Sequence, residues 1–365
     1  VDPETDVCFL YDTEVAKVIL DEVTSREPNL ECFLDTSIVD VIQEGDTVKG
    51  LVVLSQSEMM EIRAKVVIDS TGDALVAYKA GAPYEMREKK DIQPMTLMGR
   101  MCGIDMERVK KYYEENPPVL DTHVPPAWHD FKTFPGFMHF GLADELKNVV
   151  LPPEKEYLRN WLGIFTSTPN PGEVTINCSG AIEAHSTEGF ESRAAQENFS
   201  QKCLYDVAEA FKKYVPGFEN SYLSAIAALL GVRESRRIIG DYKVTLDDFN
   251  AARDFEDTIG RGAMPAGAHT PDGVTMYVYD LEPGQSMTIP YRCMLPKGKD
   301  GILVAGRCVS YEAPVANCIR CMPQCMVMGE AAGTAAAIAI KDGVTVRNVN
   351  ISKLQKNLEE HNVIL

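Results

Sequence analysis

Three arginines fall within five residues of one another in GVRESRR: Arg233, Arg236 and Arg237. A guanidinium fork matches a carboxylate bidentately, so this segment could clamp an anionic substrate. The same side chains could equally be neutralised by nearby Asp and Glu, and the residues alone leave both readings open. His269, in AGAHTPDG, carries an imidazole that titrates near neutrality and can pass a proton. Arg292, in IPYRCM, can steady an oxyanion formed as that proton moves. Cys318, Cys321 and Cys325 run C-x2-C-x3-C with Cys308 upstream, a thiolate set that could ligate an iron–sulfur cluster.

Positioning such groups requires a scaffold, and two short stretches suggest its kind. In VVIDSTGD an apolar run, Val66 to Ile68, stops in the polar turn Thr71–Gly72–Asp73, and the helix-like ALVAYKAG follows at once. GILVAGRCVS repeats the device at Gly306. A glycine at a strand's carboxyl end lets a ligand approach the backbone. Either one alone reads as well as a tight turn out of the core; together they favour a nucleotide crevice. Such a crevice normally opens with G-x-G-x-x-G, and that pattern occurs nowhere in the 365 residues.

Around these turns the periodicity predicts an α/β chain. Asp12 to Glu27 has Val15, Val18, Ile19 and Val23 at helical spacing. ECFLDTSIVDVIQ, TVKGLVVLS and EMMEIRAKVVIDS read as strands separated by the hairpin breaks EGD and SQS, closing a first unit near Gly81. From Ala82 to Lys299 the texture changes: most prolines lie here (PPVLDTHVPPAW, LPPEKEY, STPNPGE), with one long helix around Glu188 to Tyr214 and the strand-like runs EVTINCSG and MTIPYRCML. After it the early pattern returns, and CMPQCMVMGEAAGTAAAIAIKDG reads as a helix with Pro323 in its first turn and Gly343 past its end. NISKLQKNLEEHNVIL reads as a short surface helix. The expected organisation is 1–81 as the first part of one domain, 82–299 inserted, and 300–365 as its return.

Composition narrows the function. With 54 acidic against 36 basic side chains the net charge is -18, which repels nucleic acid and anionic membranes. No apolar run of membrane-spanning length occurs, and ten cysteines are too sparse for a disulfide scaffold, so a reducing cytoplasm is expected. The partner expected is a small molecule.

The strings RAKVVIDSTGDALVAYKAGAPYE, QPMTLMGRMCGID, GVRESRRIIGDY, IPYRCMLP and ILVAGRCVSYEAPVANCIRCMPQCMVMGEAAGTAAAIA, in this order, resemble the FAD-dependent oxidoreductase family, which is related to the flavin subunits of fumarate reductases. The resemblance runs over nearly the whole chain. It implies an FAD-binding, Rossmann-like domain interrupted by a large substrate domain, and FAD as cofactor. It also implies an opening βαβ unit with the glycine-rich turn, which this sequence lacks; the expectation is a domain incomplete at its N-terminus, and three readings stay open: a fragment, a separate segment that supplies the phosphate loop, or a protein that has lost tight FAD binding.

Carried over by position, the resemblance puts Thr71, Gly72 and Asp73 near the FAD ribose and pyrophosphate, the backbone of Ile38 near the adenine, and Gly306 and Arg307 near the ribityl chain. The helix beginning at Met322, Pro323 and Gln324 would aim its amides at the pyrimidine edge, with Gly329 and Gly333 giving it a smooth side. His269, Arg292 and Arg233 become the candidates for catalysis, and Cys325 falls in the flavin-facing helix, so no metal is expected. The implied activity is hydride transfer between flavin and a small anionic or carbonyl-containing substrate. The alternative is a truncated, non-catalytic flavoprotein fragment acting as a binding or assembly module.

Overall fold

The computed structural model describes residues 11–116, 138–140, 142–160, 164–178, 190–269, 276–282 and 284–365. The proline-rich PPVLDTHVPPAW lies outside them. The architecture is mixed α/β. Contacts divide the chain into two compact units, one of Val1–Cys32, Lys89–Arg233 and His269–Met276, the other of Phe33–Glu88, Glu234–Ala268 and Tyr277–Leu365. The texture changes read at Ala82 and Lys299 therefore do not coincide with the contact boundaries.

The first unit is built on a five-stranded antiparallel sheet in the order Tyr222–Ile226, Leu97–Cys102, Glu173–Cys178, Ile164–Ser167, Met138–Phe140. Leu97, Gly99 and Met101 alternate inward, and the long helix Phe190–Tyr214 packs Leu204 directly against Gly99. The helix Thr13–Ser25 forms where its apolar spacing predicts it, with the Asp12 side chain accepting from the Glu14 and Val15 amides. Yet none of its residues is buried, and Val15, Val18, Ile19 and Val23 lie open among the described residues.

In the second unit Thr36–Glu44, Thr47–Ser55 and Glu58–Arg63 form the antiparallel meander, joined by turns at Gly45 and Gln56, both with positive φ. The chain then enters Val67–Asp69, which pairs in parallel with Ile302–Val304, Asp69 opposite Val304. More than 200 residues separate these strands in sequence. Ile302, Leu303 and Val304 are fully buried, as a parallel strand covered on both faces requires.

The helix Met322–Asp342 shares a hydrophobic core with the pair, burying Met328, Ala331, Ala332, Ala335, Ile338 and Ala339. Pro323 stands in its first turn, and Gly343 ends it in the left-handed conformation. The final helix Ile351–Glu360 corrects the surface expectation in part, because Leu354 and Leu358 are fully buried in the same core.

Candidate functional site

Because Asp69 and Val304 are paired in parallel, the turns after them open at the same end of the sheet. The Ala305 N–H donates to the Asp69 carbonyl at 3.0 Å, which ties the turn carrying Gly306 and Arg307 to that carrying Thr71, Gly72 and Asp73. A residue that sequence reading passed over organises the first turn. The fully buried Asp69 carboxylate accepts from the Thr71 hydroxyl (2.7 Å), the Thr71 N–H (3.1 Å), the Val76 N–H (2.8 Å) and the Ala77 N–H (3.0 Å). It thereby caps the short helix Leu75–Lys79, which has no side-chain cap at Ala74. The signal was present in the sequence as an acid ending an apolar strand, but its partners lie seven and eight residues on.

Thr71 is occupied in this turn, its hydroxyl accepting from the Leu75 N–H at 3.0 Å. Gly72 has φ +73, and a Cβ there would stand 2.5 Å from Arg307 Nη1. Glycine is thus needed twice, for its backbone conformation and for room beneath the guanidinium. Arg307 pairs with Asp73, while its Nε is enclosed without a hydrogen-bond partner. Arg236 donates from Nε to the Asp73 carbonyl at 3.0 Å and stacks on Tyr78 at 4.5 Å. Ile38, half-buried, sits beside a bulge between Ile38 and Asp40.

The helix Met322–Asp342 begins at Cys321, which supplies no side-chain cap. Met322 is exposed, whereas Gln324 is buried with its Oε1 unpartnered. The Cys325 Sγ would be 3.9 Å from a Cβ at Gly306, so this helix start adjoins the second turn. Gly329 and Gly333 face open space among the described residues rather than a packed neighbour.

The other candidates are committed elsewhere. Arg292 forks Asp257 through Nε (2.9 Å) and Nη2 (3.0 Å) and stacks on Tyr242. Arg237 is buried against Glu234 (2.6 Å), which Arg87 also grips bidentately, and it reaches Glu85 at 3.6 Å. Arg233, in the first unit, donates to the Pro94 carbonyl at 2.7 Å. His269, in the same unit, ends the strand Ala266–His269 with its N–H on Gln93 Oε1 at 3.2 Å; the residues after it lie outside those described. The three arginines of GVRESRR therefore follow three different courses. Burial pushes the thiols of Cys308 and Cys318 up to about 12, and no group of His, Cys, Asp or Glu suited to a metal ion occurs among the described residues.

Glycine-ended parallel strands, a guanidinium over one of them and a helix start without a side-chain cap suit an anionic nucleotide. A family model of FAD dependent oxidoreductases matches residues 2–358. This chain belongs to that family. FAD is its cofactor, and the unpartnered Arg307 Nε and Gln324 Oε1 are polar atoms that such a ligand can satisfy.

No curated protein matches this chain in sequence. Among solved structures it is similar to a geranylgeranyl bacteriochlorophyll reductase-like protein from Thermoplasma acidophilum, at 14% identity and TM-score 0.42, with 96% of this chain and 59% of that one covered. A flavin-dependent brominase matches at 12% identity and TM-score 0.39, covering 96% and 60%, and the myxobacterial chondrochloren halogenase at 12% and 0.33, covering 89% and 50%. The chain thus spans three fifths or less of the length of these proteins, and at such values none bears on its activity.

Proposed function

We propose that the chain is the flavin-holding part of a cytoplasmic oxidoreductase that moves a hydride between FAD and a small anionic or carbonyl-containing molecule. The observation that carries this reading is the joint opening of Gly72 and Gly306 at one end of a parallel pair, with Arg307 between them. The domain is read as Rossmann-like, with the segment 82–299 as its substrate-binding insertion. When bound, FAD supplies the hydride acceptor or donor.

The protein's own contribution is binding and charge. Asp69 holds the first turn in shape, Asp73 fixes the direction of Arg307, and Arg307 turns toward the nucleotide. The amides at the start of Met322–Asp342 favour negative charge near them. His269 is proposed to exchange a proton and Arg292 to hold an anionic oxygen, with Arg233 an additional substrate contact. Arg292 can take that role only by sharing or leaving Asp257.

The test is visible absorption of the purified chain after incubation with FAD, followed by anaerobic titration with a reductant. Retained, reducible flavin supports the reading. A chain that retains none under conditions where it stays folded would sink it.

A further inference from the structure

Arg320 ends the helix Ala316–Arg320, one residue before the N-cap of Met322–Asp342. Its Nη2 donates to Asn317 Oδ1 at 2.6 Å, and its Nε is enclosed with no partner. No carboxylate pairs with it among the described residues. The contrast with its neighbours is sharp: Arg237 has Glu234 and Glu85, and Arg307 has Asp73. Burial disfavours the charge on Arg320; Tyr311, Cys321 and the Glu234 carboxylate stand near enough to favour it in part, and Arg307 near enough to oppose it.

A guanidinium that lacks an ion pair and stands beside a second cation is costly to the fold that holds it. In a chain with 54 acidic residues a counter-ion would be easy to place. A charge left unpaired in this way is expected where a ligand completes it. Arg307 already pairs with the Asp73 carboxylate and Arg236 donates to the Asp73 carbonyl, and Arg320 stands next to a helix start whose Cys321 gives no side-chain cap.

We propose that Arg320, with Arg307 beside it, is a cationic contact for an anionic oxygen-bearing group of bound FAD, and that the cofactor supplies the ion-pair partner that no described carboxylate gives it. This rests on the FAD reading above and adds a residue that no sequence motif singled out. The group is either the pyrophosphate or the N1–C2 carbonyl edge of the flavin ring.

The experiment uses the 365-residue chain, wild type and the variants Arg320→Met and Arg320→Lys. Affinity is measured for FAD, riboflavin and inorganic pyrophosphate, together with the reduction potential of bound FAD and the Tm without ligand. The ligand-free Tm of Arg320→Met should equal or exceed that of wild type, because a half-buried charge without an ion pair is removed. A pyrophosphate contact appears as a loss of about tenfold or more in affinity for FAD and pyrophosphate with riboflavin unaffected, partly restored in Arg320→Lys. A ring-edge contact appears as a lower reduction potential with pyrophosphate affinity unaffected.

Wild type that binds FAD, with Arg320→Met unchanged in both affinity and potential, overturns this inference alone. A lower ligand-free Tm in Arg320→Met with those two properties unchanged assigns Arg320 to the fold instead. Wild type that binds pyrophosphate through Arg320 but not FAD overturns the FAD reading and leaves the anion site standing, and binding of neither sinks both.

Discussion

At the residue scale, the candidate site turns on the pairing of a missing side chain with a large one. Gly72 leaves room that Arg307 fills, and Asp73 then fixes the guanidinium. Gly72→Ala should cost about 1–2 kcal/mol from its backbone conformation alone and should also displace Arg307. The expected result is a lower Tm with flavin affinity reduced further than the Tm shift explains; unchanged affinity would show that Arg307 does not touch the ligand. Arg292 tests the opposite case. Its pair with Asp257 is half-exposed on the arginine side, so Arg292→Lys should cost stability no more than about 1 kcal/mol. If Arg292 also holds a substrate oxygen, reduction of flavin by substrate should fall by about tenfold or more, since lysine cannot reproduce the fork. A normal rate in a folded variant would return Arg292 to its structural pair.

At the element scale, a strand end, a turn and a helix start act as one piece because Asp69 bonds to all three. Asp69→Asn replaces an acceptor oxygen with a donor NH2 facing backbone donors. The expected loss is about 2–3 kcal/mol, read by denaturant titration, with flavin binding lost alongside; a loss below the range of an ordinary exposed substitution would mean that the turn holds without its acid. The helix Met322–Asp342 behaves differently along its length. Gly329 faces open space, so Gly329→Ala should stabilise the chain by up to about 1 kcal/mol through helix propensity. A decrease in Tm would show that this face is closely packed against something in solution.

At the scale of the whole molecule, charge sets the dependence on pH. Falling pH first relieves the repulsion of a chain carrying -18. Deeper acid then removes buried pairs. Burial alone would raise the pKa of Glu234, but the grip of Arg87 and Arg237 holds it below the ordinary carboxylate value. A depressed folded pKa contributes stability above the unfolded value, near 4.3, and loses it as pH falls through the folded one. Thermal stability should therefore rise on mild acidification and drop steeply below about pH 4. Glu234→Gln should lower the plateau and flatten that acid limb. An acid limb identical to wild type would show that other carboxylates control it.

By itself the sequence determined the elements whose cause is local. Apolar period and capping residues mark Thr13–Ser25 and Met322–Asp342, turn residues mark the meander, and glycines mark the two strand ends. The family was legible as well, because long motifs preserve the order of such local features. Only the tertiary structure decided which charges meet. Arg233, Arg236 and Arg237 look alike within one string, yet a backbone carbonyl, an aromatic face and a buried glutamate claim them separately. Arg292 finds Asp257 from 35 residues away, and Arg307 finds Asp73 from 234. Arg320 shows the same limit from the other side: its lack of an ion pair among the described residues depends on the chain segments folded around it, and no string of neighbours records that. Helix and turn energies are sums over adjacent residues, whereas an ion pair is set by distance and burial after the chain has closed on itself.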